Sequence, residues 1–215
     1  PHKNIQTVAG KPLIAYSIEA AINSKYLDRV IVSTDDPKIA SVSKKYGAEV
    51  PFLRPKSLAG SKSIIEDAII DLLYKLKMQQ NYIPDAVVLL QPTSPLRTSK
   101  DIDDSILLFK KKSADSLVSV SEPMEHPCDM AYFKNNKMVM LFEKEGFFVK
   151  KQRQQYPKLY FINGAIYISK TEVLLKKRCR FGKTVVPFIM PQIRSIDIDS
   201  FDDLMIADLL LRNKG

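Results

Sequence analysis

Apolar residues recur at helical spacing through Pro12-Leu-Ile-Ala-Tyr-Ser-Ile-Glu-Ala-Ala-Ile22, with proline in the first turn and Gly10 just before it. This pattern predicts a helix. Arg29-Val-Ile-Val-Ser33 changes the period to a short β-branched run and predicts a strand. Asp36-Pro37 opens a second helix, which runs to about Tyr46 and is stopped by Gly47, and a brief extended segment follows over 49–53. A third helix is predicted from about Ile64 to Gln80, then a buried-type strand, Ala86-Val-Val-Leu-Leu90. After a Pro/Thr/Ser loop over 92–97 come a helix from Lys100 to Lys111 and a strand at Ser116-Leu-Val-Ser-Val120.

Strands and helices alternating through short connections predict a parallel sheet covered on both faces. The rhythm breaks over 122–160, where Pro, Lys, Met and aromatics dominate and strand-like pieces lie near Ala131-Tyr-Phe133 and Met138-Val-Met-Leu-Phe142. This reads as an insertion that protrudes from an α/β domain made of 1–121 and 161–215, and its apolar content predicts that it packs on something. The sheet resumes at Gly164-Ala-Ile-Tyr-Ile168, followed by a helix near 171–177, a strand near 185–190 and a closing helix over 201–212. In doubly wound folds the first strand and its turn usually hold phosphates. Here the first helix is reached from Lys3-Asn4 with no strand before it, so an opening strand and loop are expected upstream of the sequence.

Composition narrows the function. The 215 residues suffice for one domain with an appendage, and no apolar run is long enough to span a bilayer, so a soluble protein with no membrane partner is expected. The opening Pro-His-Lys-Asn has no apolar signal region. Cys128 and Cys179 form no disulfide framework or metal cluster and read as ordinary free thiols in a reducing cytoplasm. The net charge of +9 suits nucleic acid or a small substrate with several negative charges. The basic residues are scattered, and no aromatic-plus-basic sheet motif accompanies them, so no nucleic-acid partner is expected. An oxidoreductase of the dinucleotide-binding type is excluded, because no G-x-G-x-x-G occurs.

The candidate chemistry lies near the carboxyl end, in Ser195-Ile-Asp-Ile-Asp-Ser-Phe-Asp-Asp-Leu204. On a strand Asp197 and Asp199 would face the same side, and two adjacent carboxylates repel unless a cation sits between them. Oxygen-only ligation suits Mg²⁺, which completes its shell with water and substrate phosphate. The same run also reads as an exposed acidic strand end leading into a capped helix. Ser200 is placed to cap that helix, and Asp202 and Asp203 complement its dipole, so these acids read as structural. Asp36 before Pro37 is likewise a good helix cap, and it and Asp35 are taken as structural.

Several segments resemble the acylneuraminate cytidylyltransferases, or CMP-sialic acid synthetases. They are Lys3-Asn4-Ile5, Ala9-Gly-Lys-Pro-Leu-Ile14, Val32-Ser-Thr-Asp-Asp-Pro37, Leu89-Leu-Gln-Pro-Thr-Ser-Pro-Leu-Arg97, Asn163-Gly-Ala-Ile-Tyr167 and Ser195-Ile-Asp-Ile-Asp199, in family order across nearly the whole chain. The resemblance implies a Rossmann-like α/β fold, a three-layer sandwich with a mainly parallel sheet, usually dimeric. It implies transfer of CMP from CTP to the anomeric hydroxyl of a nine-carbon α-keto sugar acid, with release of pyrophosphate and dependence on Mg²⁺. Asp197 and Asp199 then look like the metal pair, and Lys3 and Asn4 like the end of the nucleotide loop, where an ammonium can sit on a phosphate as a compact charge. Arg54 resembles an arginine that helps hold the cytidine part. Gln91, Asn163, Tyr167 and Phe181 match sugar-site positions. Arg153 resembles an arginine that reaches across a homodimer to the partner's site, which makes 122–160 a dimerisation arm.

The chain also departs from the family pattern. Phe161 stands where many members carry an arginine for the sugar carboxylate, so Arg180 or Arg153 is expected to take that role. Ile65 stands where relatives often place a hydroxyl. Gln91 favours the sialic-acid-like branch over the alternative, the related Kdo cytidylyltransferases. A third reading, a non-catalytic nucleotide- or sugar-binding dimer, applies if the upstream loop is truly absent from the gene.

Overall fold

The computed structural model of the chain describes residues 3–60, 62–141 and 157–213. A tight hairpin, Thr7–Val8 (β1) with Lys11–Pro12 (β2), leads into helix Leu13–Ile22 (α1), and helices Pro37–Lys45 (α2) and Ile65–Gln80 (α3) follow. Strand Ala86–Leu89 (β3), helix Ser99–Lys111 (α4) and strand Ser116–Ser121 (β4) come next. A second hairpin, Ala131–Lys134 (β5) with Lys137–Met140 (β6), precedes strand Phe161–Lys170 (β7), helix Thr171–Lys177 (α5), strand Val185–Ile189 (β8) and helix Phe201–Arg212 (α6). Each predicted helix forms close to its expected bounds, and α2, α4 and α6 are started by local side-chain caps. Asp36 accepts from Lys38 N at 2.7 Å to start α2, and Thr98 with Asp101 and Ser200 with Asp203 form capping boxes on α4 and α6.

Four strands form the main sheet in the order β3-β7-β4-β8. The expectation of a mainly parallel sheet holds for the direction of β3, β4 and β8, but β7 runs antiparallel to both of its neighbours. The reason lies in the connection. Parallel neighbours need a crossover, usually a helix, whereas the chain leaves β4 into the arm and re-enters the sheet beside β4 itself. Alternation along β7 separates the layers. Ile166 and Ile168 join Ile102, Ile106 and Phe109 of α4 in the largest core cluster, while Tyr167, between them, faces the α3 side.

The predicted strand at 29–33 is reduced to a single parallel bridge, Ile31 to Glu49, with backbone bonds from Val32 N to Glu49 O and from Glu49 N to Val30 O. A run becomes a strand only through its ladder, and the other edge of this one borders a groove of about 990 Å³. The far wall of the groove is β3, which among the described residues pairs only with β7. Ile14 and Ile18 of α1 and Leu73 and Leu76 of α3 line its two faces.

Within 122–160 the described part carries the β5–β6 hairpin. Its turn residues Asn135 and Asn136 both have positive φ (50° and 57°), as a two-residue turn of this hand requires. The hairpin pairs with no strand of the main sheet, and Phe133 (83% exposed) and Met138 (67%) project from it. Arg153, the residue expected to cross a dimer interface, lies outside the described residues.

Candidate active site

The Asp197 segment is not the strand its alternation suggested. It runs without a ladder, anchored by Ile198 N to Thr93 O at 2.9 Å. Ile198 is fully buried against Val8, Leu13 and Ala207, which fixes the depth at which the flanking aspartates sit. Asp197 Oδ1 is buried with no hydrogen-bond partner. Asp197 Oδ2 and Gln91 Oε1 lie 3.5 and 2.5 Å from where a Cβ on Gly164 would stand, so both side chains converge on this glycine. Asp199 is exposed, with Oδ1 3.4 Å from Lys3 Nζ.

This arrangement fits a hard cation. A buried carboxylate oxygen without a donor is costly unless a ligand supplies positive charge. Among the described residues no three His, Cys, Asp or Glu side chains gather around one point. A cation here would therefore rest on Asp197 with Asp199 and draw further oxygens from water and substrate, the usual habit of Mg²⁺.

Gly164 has φ +72°, a conformation that disfavours any side chain, and the β4–β7 register slips opposite it, between Val118 and Val120. Bulges of this kind re-aim side chains near active sites. Asn163 braces the bulge. Its Oδ1 accepts from Ser119 Oγ at 2.6 Å and Ala165 N at 3.2 Å, and its Nδ2 donates to Ser195 Oγ at 2.8 Å. Asn163, expected among the sugar contacts, is 1% exposed and makes these bonds within the protein. Gly164→Ala is expected to displace Gln91 and strain the backbone by about 1–2 kcal/mol. Activity should fall by more than tenfold while the fold persists, checked by turnover beside a circular-dichroism melt.

Arg97 holds the floor of the site. It is 3% exposed, and its Nη1 donates to Ala165 O at 2.7 Å and Gln91 O at 3.3 Å, while Nη2 donates to Ser17 Oγ at 2.6 Å. Burial pushes its pKa down to about 10, a shift that the Asp101 carboxylate only partly offsets. A bidentate pair, Arg194 to Asp101 at 3.0 and 2.8 Å, ties the loop before Ser195 to the start of α4. Burial would raise the pKa of Asp101, but its bonds from Arg194 and Thr98 outweigh this and hold it below the usual value.

On the α3 side, Arg180 stacks over the rings of Tyr167 and Phe181, 4.8 and 5.9 Å from their centroids, and the rings meet edge to face at 6.3 Å. Burial raises the pKa of the Tyr167 phenol, Arg180 lowers it, and Asp197 and Glu66 raise it further, so one hydroxyl senses both halves of the site. Arg54 donates to Ser33 Oγ at 3.1 Å and to Ser33 O, and burial lowers its pKa. With Asn4, Asp35 and Gln91 it lines the groove. Phe161 begins β7 and is 61% exposed. The sequence reading gave no role to Arg97, Arg194, Asp101 or Glu66. Arg97 closes the Leu89–Arg97 motif, but its burial depends on a contact with β7 across the fold.

The sequence profile of the family described as Cytidylyltransferase matches residues 1–194. The chain is 34% identical over 217 residues to the pseudaminic acid cytidylyltransferase of Campylobacter jejuni, covering 99% of this chain and 90% of that one. It is also 34% identical over 219 residues to the CMP-N,N'-diacetyllegionaminic acid synthase of Legionella pneumophila, covering 98% and 90%. With the N-acylneuraminate cytidylyltransferase of Streptococcus agalactiae it shares 32% over 209 residues, 95% of this chain and 48% of that one. A solved CMP:2-keto-3-deoxy-manno-octonic acid synthetase in complex with CTP superposes with a TM-score of 0.71 over 97% of this chain and 91% of that chain, and its 14% identity makes this a likeness of fold. The chain belongs to the cytidylyltransferase family and is a nucleotidyltransferase.

Proposed function

We propose that the protein transfers CMP from CTP to the anomeric hydroxyl of a nonulosonic acid and releases pyrophosphate, with Mg²⁺ as cofactor. The observation that carries this reading is the convergence of the orphaned Asp197 carboxylate and Gln91 over Gly164, beyond the carboxyl end of β3. The sugar hydroxyl attacks the α-phosphorus of CTP, forming a new P–O ester bond as the α–β bridge breaks and pyrophosphate leaves. Such a step is catalysed by positioning and charge neutralisation. Gln91 can both donate to and accept from sugar hydroxyls, Lys3 can meet a phosphate, and Asn4 and Arg54 line the groove on the side where a cytidine would lie. Mg²⁺, when bound, would neutralise phosphate charge as a Lewis acid, held by Asp197 and Asp199. The relatives named for pseudaminic and diacetyllegionaminic acids support the nonulosonic class of substrate. The test is pyrophosphate release by the full natural chain with CTP, Mg²⁺ and a panel of nonulosonic acids plus Kdo. A nonulosonic acid is expected to exceed Kdo in kcat/KM by more than about tenfold. Release with Kdo alone would overturn the reading.

The groove between 30–33 and β3 supports the expectation of a further strand upstream of Lys3. Two extended backbones face it from opposite sides, helices cover both of its faces, and Asn4 lies in its lining. A strand there would be apolar on both faces and would join the Ile31–Glu49 bridge to the main sheet. Adding the natural upstream residues is expected to raise the melting temperature by at least about 5 °C. An unchanged melt, with the groove still taking up an apolar dye, would contradict this. The exposed Phe133 and Met138 likewise support a homodimer built through the arm.

A further inference from the structure

Glu66 and Asp67 form an acidic pair between the apolar runs Ile64-Ile65 and Ala68-Ile69-Ile70. An acid in the first turn of a helix normally complements the helix dipole from the surface. Glu66 is instead 7% exposed, and its Oε1 stands 2.9 Å from Arg180 Nε. A buried carboxylate needs a partner, and removing that partner costs more than the pair itself contributes.

Arg180 is fixed at both ends. Its backbone carbonyl accepts from Ser116 Oγ at 2.7 Å and from Ser169 Oγ at 2.6 Å, which pins the chain after α5 against β4 and β7. Its side chain passes over Tyr167 and Phe181 and ends on Glu66. A guanidinium donates through Nε and both Nη groups in a rigid plane. The ion pair with Glu66 is made at Nε, and neither Nη donates a hydrogen bond to a described residue. The Tyr167 ring under this guanidinium lies three residues along β7 from Gly164, the glycine on which Gln91 and Asp197 converge.

The geometry points to Glu66 as a positioning residue: it holds Arg180 by Nε so that the free Nη edge receives the carboxylate of the sugar acid. The inference rests on the function proposed above and deepens it, since it assigns the carboxylate site that Phe161 leaves open. Glu66 does not touch the substrate. It sets the plane of the group that does.

Two measurements on Glu66→Gln and Arg180→Gln test this separately from the reaction. In the wild-type protein the Arg180 Nε–H, identified by its loss in Arg180→Gln, should give a slowly exchanging ¹⁵N–¹H resonance. Glu66→Gln should abolish that protection whether or not turnover occurs, and an unchanged resonance would overturn the positioning. In turnover, Glu66→Gln should raise KM for the sugar acid on the order of tenfold, as expected when a charge-assisted contact is misaligned. KM for CTP should stay the same, and Glu66→Gln should add little in an Arg180→Gln background. Equal rises in both KM values would mark a general structural defect and overturn the inference, as would an unchanged sugar KM. Should the wild-type protein release no pyrophosphate with any acid, the function proposed above fails and the resonance alone decides the role of Glu66.

Discussion

Replacing Asp197 by alanine is expected to lower CTP turnover by about 10³-fold without lowering the melting temperature. The two halves of this result have one cause. Asp197 Oδ1 is buried and meets no donor, so in the free protein the carboxylate is a destabilising feature that a packed methyl group would relieve. Its retention then calls for something that arrives later with positive charge, as a cation accompanying the triphosphate does. A structural aspartate behaves in the opposite way. Asp101, held by Arg194 and by Thr98, would lose stability on substitution before it lost chemistry. A side-by-side melt and pyrophosphate assay of Asp197→Ala distinguishes the two types. Loss of several degrees in Tm with turnover intact would place Asp197 among the structural group.

Arg97→Ala should produce the largest stability loss of any single substitution at the site, about 3 kcal/mol or more, or roughly 6–12 °C in Tm. The guanidinium bridges three elements: α1 through Ser17, the end of β3 through Gln91 O, and β7 through Ala165 O. Removing it deprives buried Ala165 O of its guanidinium donor, leaves Gln91 O only its bonds from Ser17 Oγ and Ser94 N, and opens a void beneath Gln91. Lysine restores little, because one ammonium cannot span acceptors that a planar fork reaches together. The depressed pKa of Arg97, about 10, shows how strongly burial opposes its charge. The sign follows. Because its folded value lies below that of a free arginine, the penalty applies at neutral pH and is relieved only as pH rises through about 10. The destabilisation by alanine therefore comes from lost bonds and packing, and a denaturant titration should show it with the slope m unchanged. A Tm within about 2 °C of wild type would contradict this account.

These two residues also show what the sequence can disclose. Asp197 was legible because its signal is local: a period-two alternation with acids on one phase, followed by a serine cap. The alternation persists although the predicted strand does not form, since Ile198 still anchors in the core. Helices were legible for a similar reason, as periodicity and caps lie within one segment. Arg97 and Glu66 were not, because their meaning comes from partners far away in the chain, on β7 and after α5. Asn163 sits in a legible motif, but its bonds to Ser119 and Ser195 come from the fold alone. The antiparallel course of β7 was hidden by the arm, which replaces a helical crossover with a return beside β4. Strand 29–33 fell short for want of a ladder partner, which no local pattern specifies.

The most direct test of the central claim is ³¹P NMR of the reaction mixture of the full natural chain with CTP, Mg²⁺ and the preferred nonulosonic acid. The account predicts a CMP–sugar phosphodiester and pyrophosphate appearing in equal amounts, and neither with Asp197→Ala. Formation of CDP and inorganic phosphate, or the same products at an undiminished rate from Asp197→Ala, would contradict it.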